Sequence, residues 1–364
     1  VIVAGGGVHY AEATEMLRRF SETFNIPVCE TQAGKSALPW GHPLNLGPIG
    51  VTGGDPANDA CAGADVVLGV GTRFQDFTTG SWGLFANPER RLISLNVAAY
   101  DAAKRGALAL ISDAAVGLEE LSQALGKLRF EGTYETAKSA WFDNVDPLTA
   151  APQNDEKNTL PTDMQVIGAV QRASGETTVA MCAAGTMPGE LHKLWKSNHP
   201  GSYHMEYGFS CMGYEIAGAW GARIAQSERE PDRDTISFCG DGSYLMLNSD
   251  IYSSVLSQKK IILLVLDNGG FAVINKLQNN TGNESFNNLF VDCPTIPVPF
   301  AVDFAAHARS MGAEAEKVSD PVELSEAFKR AKASDKSYVI VMNVDAYEGW
   351  TTEGHTWWEV GTPA

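Results

Sequence analysis

The sequence predicts an α/β protein built of two doubly wound parallel-sheet domains. Three observations predict it. Short all-apolar runs alternate with amphipathic stretches from residue 1 to about 128. The same rhythm resumes at about Met164 and continues to 347. Several of these runs, VIVAGGG, SFCGDG and LLVLDNGG among them, end on glycines. A strand covered on both faces reads as a continuous apolar run, and strands alternating with helices make βαβ units. At 364 residues the chain exceeds one compact core, in keeping with two domains.

The first domain, 1–128, opens with VIVAGGG, a strand running into Gly5, Gly6 and Gly7. AEATEMLRRFSETF follows with apolar residues at helical spacing. IPVCET, ADVVLGVGTRF and RLISLNV read as further strands, and DAAVGLEELSQAL as a helix. This is a Rossmann-like domain. Gly5-Gly6-Gly7 is not G-x-G-x-x-G, and no convincing acidic partner for a ribose is read near the end of the second strand. A structural role is favoured over a working NAD site, with FAD or nucleotide binding left open. Residues 129–163 carry DPLTAAPQNDEKNTLPTD, polar and proline-bearing, and read as an interdomain linker. The second domain, 164–347, begins with MQVIGAVQRA, and its strands are TTVAMCAAGT, DTISFCGDG, KIILLVLDNGG and SYVIVMNVD. The tail, 348–364, holds three Trp within nine residues and reads as a segment packed on a surface.

The net charge of −17 argues against nucleic acid or an anionic membrane as partner, since either needs a basic face. It leaves room for one small anion site built from backbone N–H groups. The six cysteines form no C-x-x-C pair and are expected as buried reduced thiols in a cytoplasmic protein. No apolar run reaches the ~18–20 residues of a spanning helix. Residue 1 is Val, and the opening reads as a strand already under way, as expected of a piece of something longer.

The chemistry concentrates in the second domain. TISFC runs into Gly240-Asp241-Gly242, where a tight turn, a metal ligand and a phosphate cradle compete. SYLMLNSDIYSSVLSQ then places Tyr244, Leu247, Ile251 and Val255 on one helical face. KIILLVL runs into Asp267-Asn268-Gly269-Gly270. Strand, helix and strand at this spacing make one right-handed crossover, so Asp241 and Asn268 share the carboxyl edge of the sheet. A carboxylate and an amide oxygen converging there suit a hard cation such as Mg2+. Gly242 lets backbone approach a ligand, Ser243 opens a helix whose N–H groups face it, and Gly270 can offer a carbonyl.

Gly240-Asp241-Gly242, 25 residues and then Asn268 resembles the cofactor motif of thiamin-diphosphate-dependent enzymes, with Asp267 where that motif usually has Asn. The resemblance implies that the second domain is a thiamin-diphosphate-binding domain. It implies that Asp241, Asn268 and the Gly270 carbonyl hold Mg2+, while Gly242 and Ser243 hold the diphosphate. AAGTMPG resembles another cofactor loop, which brings in Gly185, Thr186 and Met187. EYGFSCMGYEIAGAWGA resembles the segment whose Ser210 carbonyl meets the aminopyrimidine and whose Met212 bends the cofactor. Phe271 joins this cofactor-binding set.

The longer segments AAGTMPGELHKLW, GDGSYLMLNSDIYSSV and WTTEGHTWWEVGTP are similar to those of the trihydroxycyclohexanedione hydrolases of myo-inositol breakdown. That implies hydrolysis of a C–C bond in a cyclic 1,2-diketone, giving 5-deoxyglucuronate, by a homodimer or homotetramer. Pyruvate decarboxylases carry Glu six residues after the ligand Asn, whereas Ile274 stands here. The alternatives are an acetolactate-synthase-like carboligase or decarboxylase and an inactive subunit of this fold. In the family the activating Glu lies in an N-terminal domain before the central one. This chain alone is therefore expected to bind the cofactor weakly or not at all and to show no turnover. His204, near the same segment, and Cys211 beside Met212 are expected to be ordinary structural residues, Cys211 a buried thiol.

Overall fold

A computed structural model describes residues 1–85, 87–151, 159–295 and 301–347. The tail read at 348–364 lies outside them. The described chain divides into two compact units, 1–145 with 196–203, and 146–195 with 204–347.

The sheet of the first unit comprises β1 (Ile2–Ala4), β2 (Val28–Glu30), β3 (Asn45–Pro48), β4 (Val66–Val70), β5 (Arg91–Asn96) and β6 (Leu108–Ile111). Its order is β3-β2-β1-β4-β5-β6, with every pair parallel. Strand alternation sends Ile2 and Ala4 to one face, where Leu17, Phe20 and Phe24 of helix Thr14–Phe24 pack beside Leu118. Val3 points to the other face, among Cys29, Ala57, Phe74 and Trp82. The strand order turns back between β1 and β4, where such folds hold ligands. Backbone fills that crevice. A Cβ on Gly5 would lie 2.4 Å from the Gly71 carbonyl oxygen, and one on Gly7 2.6 Å from Gly71 Cα. The Gly7 N–H donates to that same carbonyl at 3.0 Å. The three glycines serve this close packing.

Within the span read as a linker, 129–163, the structure forms helix Glu135–Leu148. Trp141 and Val145 are buried on it at helical spacing, and Trp141 packs on Gly54. Pro147 falls at its end, so the polar, proline-bearing composition conceals a docked helix.

The second unit carries β7 (Val179–Cys182), β8 (Tyr203–Met205), β9 (Thr235–Gly240), β10 (Ile262–Asp267), β11 (Glu314–Val318) and β12 (Tyr338–Asn343). The order is β11-β12-β10-β9-β7-β8, and the pairs from β11 through β7 are parallel. Helices Tyr214–Arg229 and Phe304–Ser310 cover one face, packing Ile216, Ala219, Phe304 and Ala308 on Leu263, Val265, Val339 and Val341. The single helix expected after Gly242 is two, Asp241–Met246 and Asp250–Leu256. Leu247 between them is extended, at φ −153°, and lies 43% exposed, off the face that Tyr244 and Ile251 bury. Asn248 donates its side-chain amide to the Tyr244 carbonyl at 3.0 Å, ending the first helix.

Candidate functional site

The parallel pairing of β9 with β10 sets Gly240 opposite Leu266, so Asp241 and Asp267 leave the sheet side by side. Asp241 is 3% exposed. Burial, with the Asp267 charge beside it, pushes its carboxyl up to about 7, against hydrogen bonds from the backbone of Gly242 and Gly270. Asp267 is held by the Gly269 N–H at 3.2 Å and the Asn343 amide at 3.1 Å.

One terminal atom of the Asn268 amide sits 2.9 Å from the Gly270 carbonyl oxygen and 3.3 Å from Asp241 Oδ1. As nitrogen, that atom would donate to both. As oxygen, it makes three oxygens face one point, an arrangement that a cation satisfies. Among the described residues no group of three His, Cys, Asp or Glu forms a metal cluster, so any cation here takes mixed oxygen donors. Gly269 and Gly270 make the turn with φ of +76° and +145°. A Cβ on Gly270 would lie 2.3 Å from the Asn288 carbonyl oxygen.

Around this point the other predicted residues gather unequally. A Cβ on Gly242 would lie 2.8 Å from Phe271 Cε1 and 3.2 Å from Met212 Cε, so Gly242, Phe271 and Met212 share one small space. The Gly242 N–H serves the Asp241 carboxylate, and the buried Ser243 hydroxyl serves Glu215. Gly185, at φ +82°, has open space where a side chain would be. Thr186 begins helix Met187–Leu194 and donates its hydroxyl to Asp163, and Met187 is buried. Asp163 lies 3% exposed, and its Oδ1 has no hydrogen-bond partner. Burial raises its carboxyl to about 6 against the Thr186 hydroxyl.

The 206–213 loop is shaped by Glu206, which accepts backbone N–H groups of Gly208 at 2.7 Å, Phe209 at 3.2 Å and Cys211 at 2.8 Å. Desolvation pushes this carboxyl up, but those donors outweigh it and hold it below the ordinary range. Ser210 takes a left-handed backbone, at φ +52°, in that turn. Cys211 is exposed, contrary to the buried thiol expected, because it lies in the solvent-facing turn of residues 208–211 that Glu206 holds by its backbone N–H groups. His204 pairs with the Tyr214 hydroxyl at 2.8 Å, and burial lowers its pKa.

Sequence reasoning missed Asp163 and Glu215. Glu215 is fully buried, which raises its pKa, while it accepts from Ala184 N–H at 3.2 Å and Gly213 N–H at 2.8 Å. A glutamate inside the otherwise apolar run GYEIAGAW was its one signal.

Two six-stranded sheets of this topology define a doubly wound α/β class, and the Asp241, Asn268 and Gly270 turn lies at the carboxyl edge where such folds hold ligands. Residues 1–121 match the thiamine pyrophosphate enzyme central domain, and 183–342 match the C-terminal TPP binding domain of those enzymes. The chain belongs to the thiamine pyrophosphate enzymes. It is similar to proteins named 3D-(3,5/4)-trihydroxycyclohexane-1,2-dione hydrolase. The one from Clostridium perfringens is 40% identical over 393 residues, covering 99% of this chain and 60% of the relative. Those from Bacillus cereus and Clostridium tetani are 40% and 38% identical with the same coverage. The chain thus spans 60% of the length of these curated relatives. No helix among the described residues is long and apolar enough to cross a membrane.

Proposed function

We propose that this chain supplies the cation- and diphosphate-holding part of the active site of a thiamin-diphosphate- and Mg2+-dependent hydrolase. The bond cleaved is a C–C bond of a cyclic 1,2-diketone, trihydroxycyclohexane-1,2-dione, giving 5-deoxyglucuronate in cytoplasmic inositol degradation. The observation that carries the reading is the convergence of Asp241 Oδ1, the Asn268 amide and the Gly270 carbonyl. Neighbouring oxygens of an octahedral Mg2+ lie about 2.9 Å apart, from metal–oxygen distances of about 2.0–2.1 Å. The 2.9 Å contact of Asn268 with Gly270 fits that spacing.

Asp241 would give the cation its negative ligand, with Asn268 and Gly270 completing the protein's share. Backbone N–H groups about Gly242 and Ser243, with the open space at Gly185, would take the diphosphate oxygens. Thiamin diphosphate, when bound, supplies a nucleophilic carbon and an electron sink for breaking a bond next to a carbonyl. Met212 and Phe271, packed over Gly242, would exclude water from one side and fix the cofactor's bend. Ile274, 49% exposed, offers no acid at the position where pyruvate decarboxylases have one, which favours a different substrate. The backbone packed between Gly5, Gly7 and Gly71 speaks against the flavin-bearing carboligase alternative. Exposed Phe209, Met246 and Ile274 support assembly as a homodimer or homotetramer.

The test is product analysis. The purified full-length protein, supplied with thiamin diphosphate, Mg2+ and the inositol-derived dione, should consume the dione and release one open-chain acid by NMR. Pyruvate carboligation with no dione consumption would reject the reading. The 364-residue chain by itself is expected to give no turnover.

A further inference from the structure

The switch point of the second sheet lies between β7 and β9, because the chain leaves β7 for β8 on one side and returns to β9 on the other. Three segments far apart in sequence come together there, and Glu215 joins them. Its Oε1 accepts from Ala184 N–H at 3.2 Å, in the loop after β7. Its Oε2 accepts from Gly213 N–H at 2.8 Å, at the end of the 206–213 loop. The same carboxylate takes the hydroxyl of Ser243, in the first turn after β9. Its own backbone carbonyl accepts Ser237 Oγ at 2.7 Å, which ties the helix carrying Glu215 to β9.

Glu215 is fully buried, and among the described residues no salt bridge reaches it. Burying a carboxylate is costly unless its acceptors are used. Here they are used on three segments, and each contact adjoins a residue assigned to the cofactor. Ala184 precedes Gly185 and Thr186, Gly213 follows Met212, and Ser243 follows Gly242. A side chain without a carboxylate could fill the same volume but could not satisfy all three donors.

We propose that Glu215 is a positioning residue that holds the three cofactor-facing segments in register at the switch point. It does so without touching the cofactor. The inference rests on the reading of the site given above, and its test separates the two.

The variant is Glu215→Gln in the full-length protein. Glutamine keeps the size, but its one oxygen can serve one segment while its NH2 confronts the N–H of the other. Two measurements are made. Backbone amide exchange is followed without cofactor, and thiamin diphosphate binding is followed by calorimetry in excess Mg2+. Exchange at Ala184 and Gly213 should speed up by about tenfold or more, and thiamin diphosphate should bind about tenfold more weakly, the size of one lost buried hydrogen bond. Exchange in the rest of helix Tyr214–Arg229 should stay unchanged. Unchanged exchange at both amides, or a uniform rise across the unit with no change in affinity, would overturn the proposal. Should glutamine prevent folding, Glu215→Asp, which keeps the charge but shortens the reach, is read by the same two criteria. Wild-type protein that fails to bind thiamin diphosphate would count against the site reading, whereas the exchange comparison judges Glu215 without any cofactor.

Discussion

Replacing Asp241 with asparagine should move metal-free stability and cation binding in opposite directions. In the folded chain, burial and the neighbouring Asp267 raise the Asp241 carboxyl from 3.8 to about 7. In the unfolded chain it titrates near about 3.9. Between those values the folded protein keeps a proton that the unfolded chain has released. The stability contributed by this group is therefore fully present below about pH 4 and is lost as the pH rises through 7. A gap of roughly three units, at about 1.4 kcal/mol each, makes the loss on the order of 4 kcal/mol. Asparagine never ionises, so it escapes that loss, less about 1 kcal/mol for an acceptor replaced by NH2. At pH 8 in chelator, Asp241→Asn should be more stable than the wild type by up to about 3 kcal/mol, and near pH 4, where only the acceptor penalty remains, less stable by about 1 kcal/mol. The same change removes the carboxylate from the point that Asn268 and the Gly270 carbonyl face. Added Mg2+ should raise the wild-type midpoint and leave the variant's unmoved. Urea unfolding of the full-length protein between pH 4 and 8, with chelator and with excess Mg2+, measures both effects. A variant less stable than wild type at pH 8 in chelator, or one keeping the full Mg2+ response, would refute the reasoning.

Gly270→Ala sets a Cβ 2.3 Å from the Asn288 carbonyl oxygen at a φ of +145°. It should cost about 2–4 kcal/mol in urea unfolding and abolish the Mg2+-dependent midpoint shift. Trp141→Ala empties a site buried to 2% exposure against Gly54. It should destabilise the first unit by about 3–5 kcal/mol and open residues 135–148 to limited proteolysis, where the wild type resists. The purified full-length protein should show no flavin absorbance, because backbone of Gly5, Gly7 and Gly71 fills the switch-point crevice of the first unit. A stoichiometric flavin spectrum would contradict that packing.

Of the twelve strands among the described residues eight are legible in the sequence, and the four that are not, β3, β6, β8 and β11, are the edges of the two sheets. An interior parallel strand is covered on both faces and has to be apolar throughout, as ILLVLD and YVIVMN are. An edge strand escapes that demand. LALI of β6 is exposed at both ends, EAEKV of β11 has three charged residues of five, and NLGP of β3 carries Gly and Pro. Helix Glu135–Leu148 was hidden because docking through Trp141 and Val145 does not alter a polar composition. The break at Leu247 was hidden because its residue continues the helical period, and only the Asn248 contact with Tyr244 ends the helix. By itself the sequence determined the α/β class, the crossover and the presence of Asp241 and Asn268 at one sheet edge, since these follow from local patterns of polarity and spacing. Tertiary structure alone decided that the Asn268 amide meets both Asp241 and the Gly270 carbonyl, and that Glu215 binds segments beginning near 184, 213 and 243. Those contacts join residues tens of positions apart, and side-chain periodicity holds no record of who meets whom across a sheet.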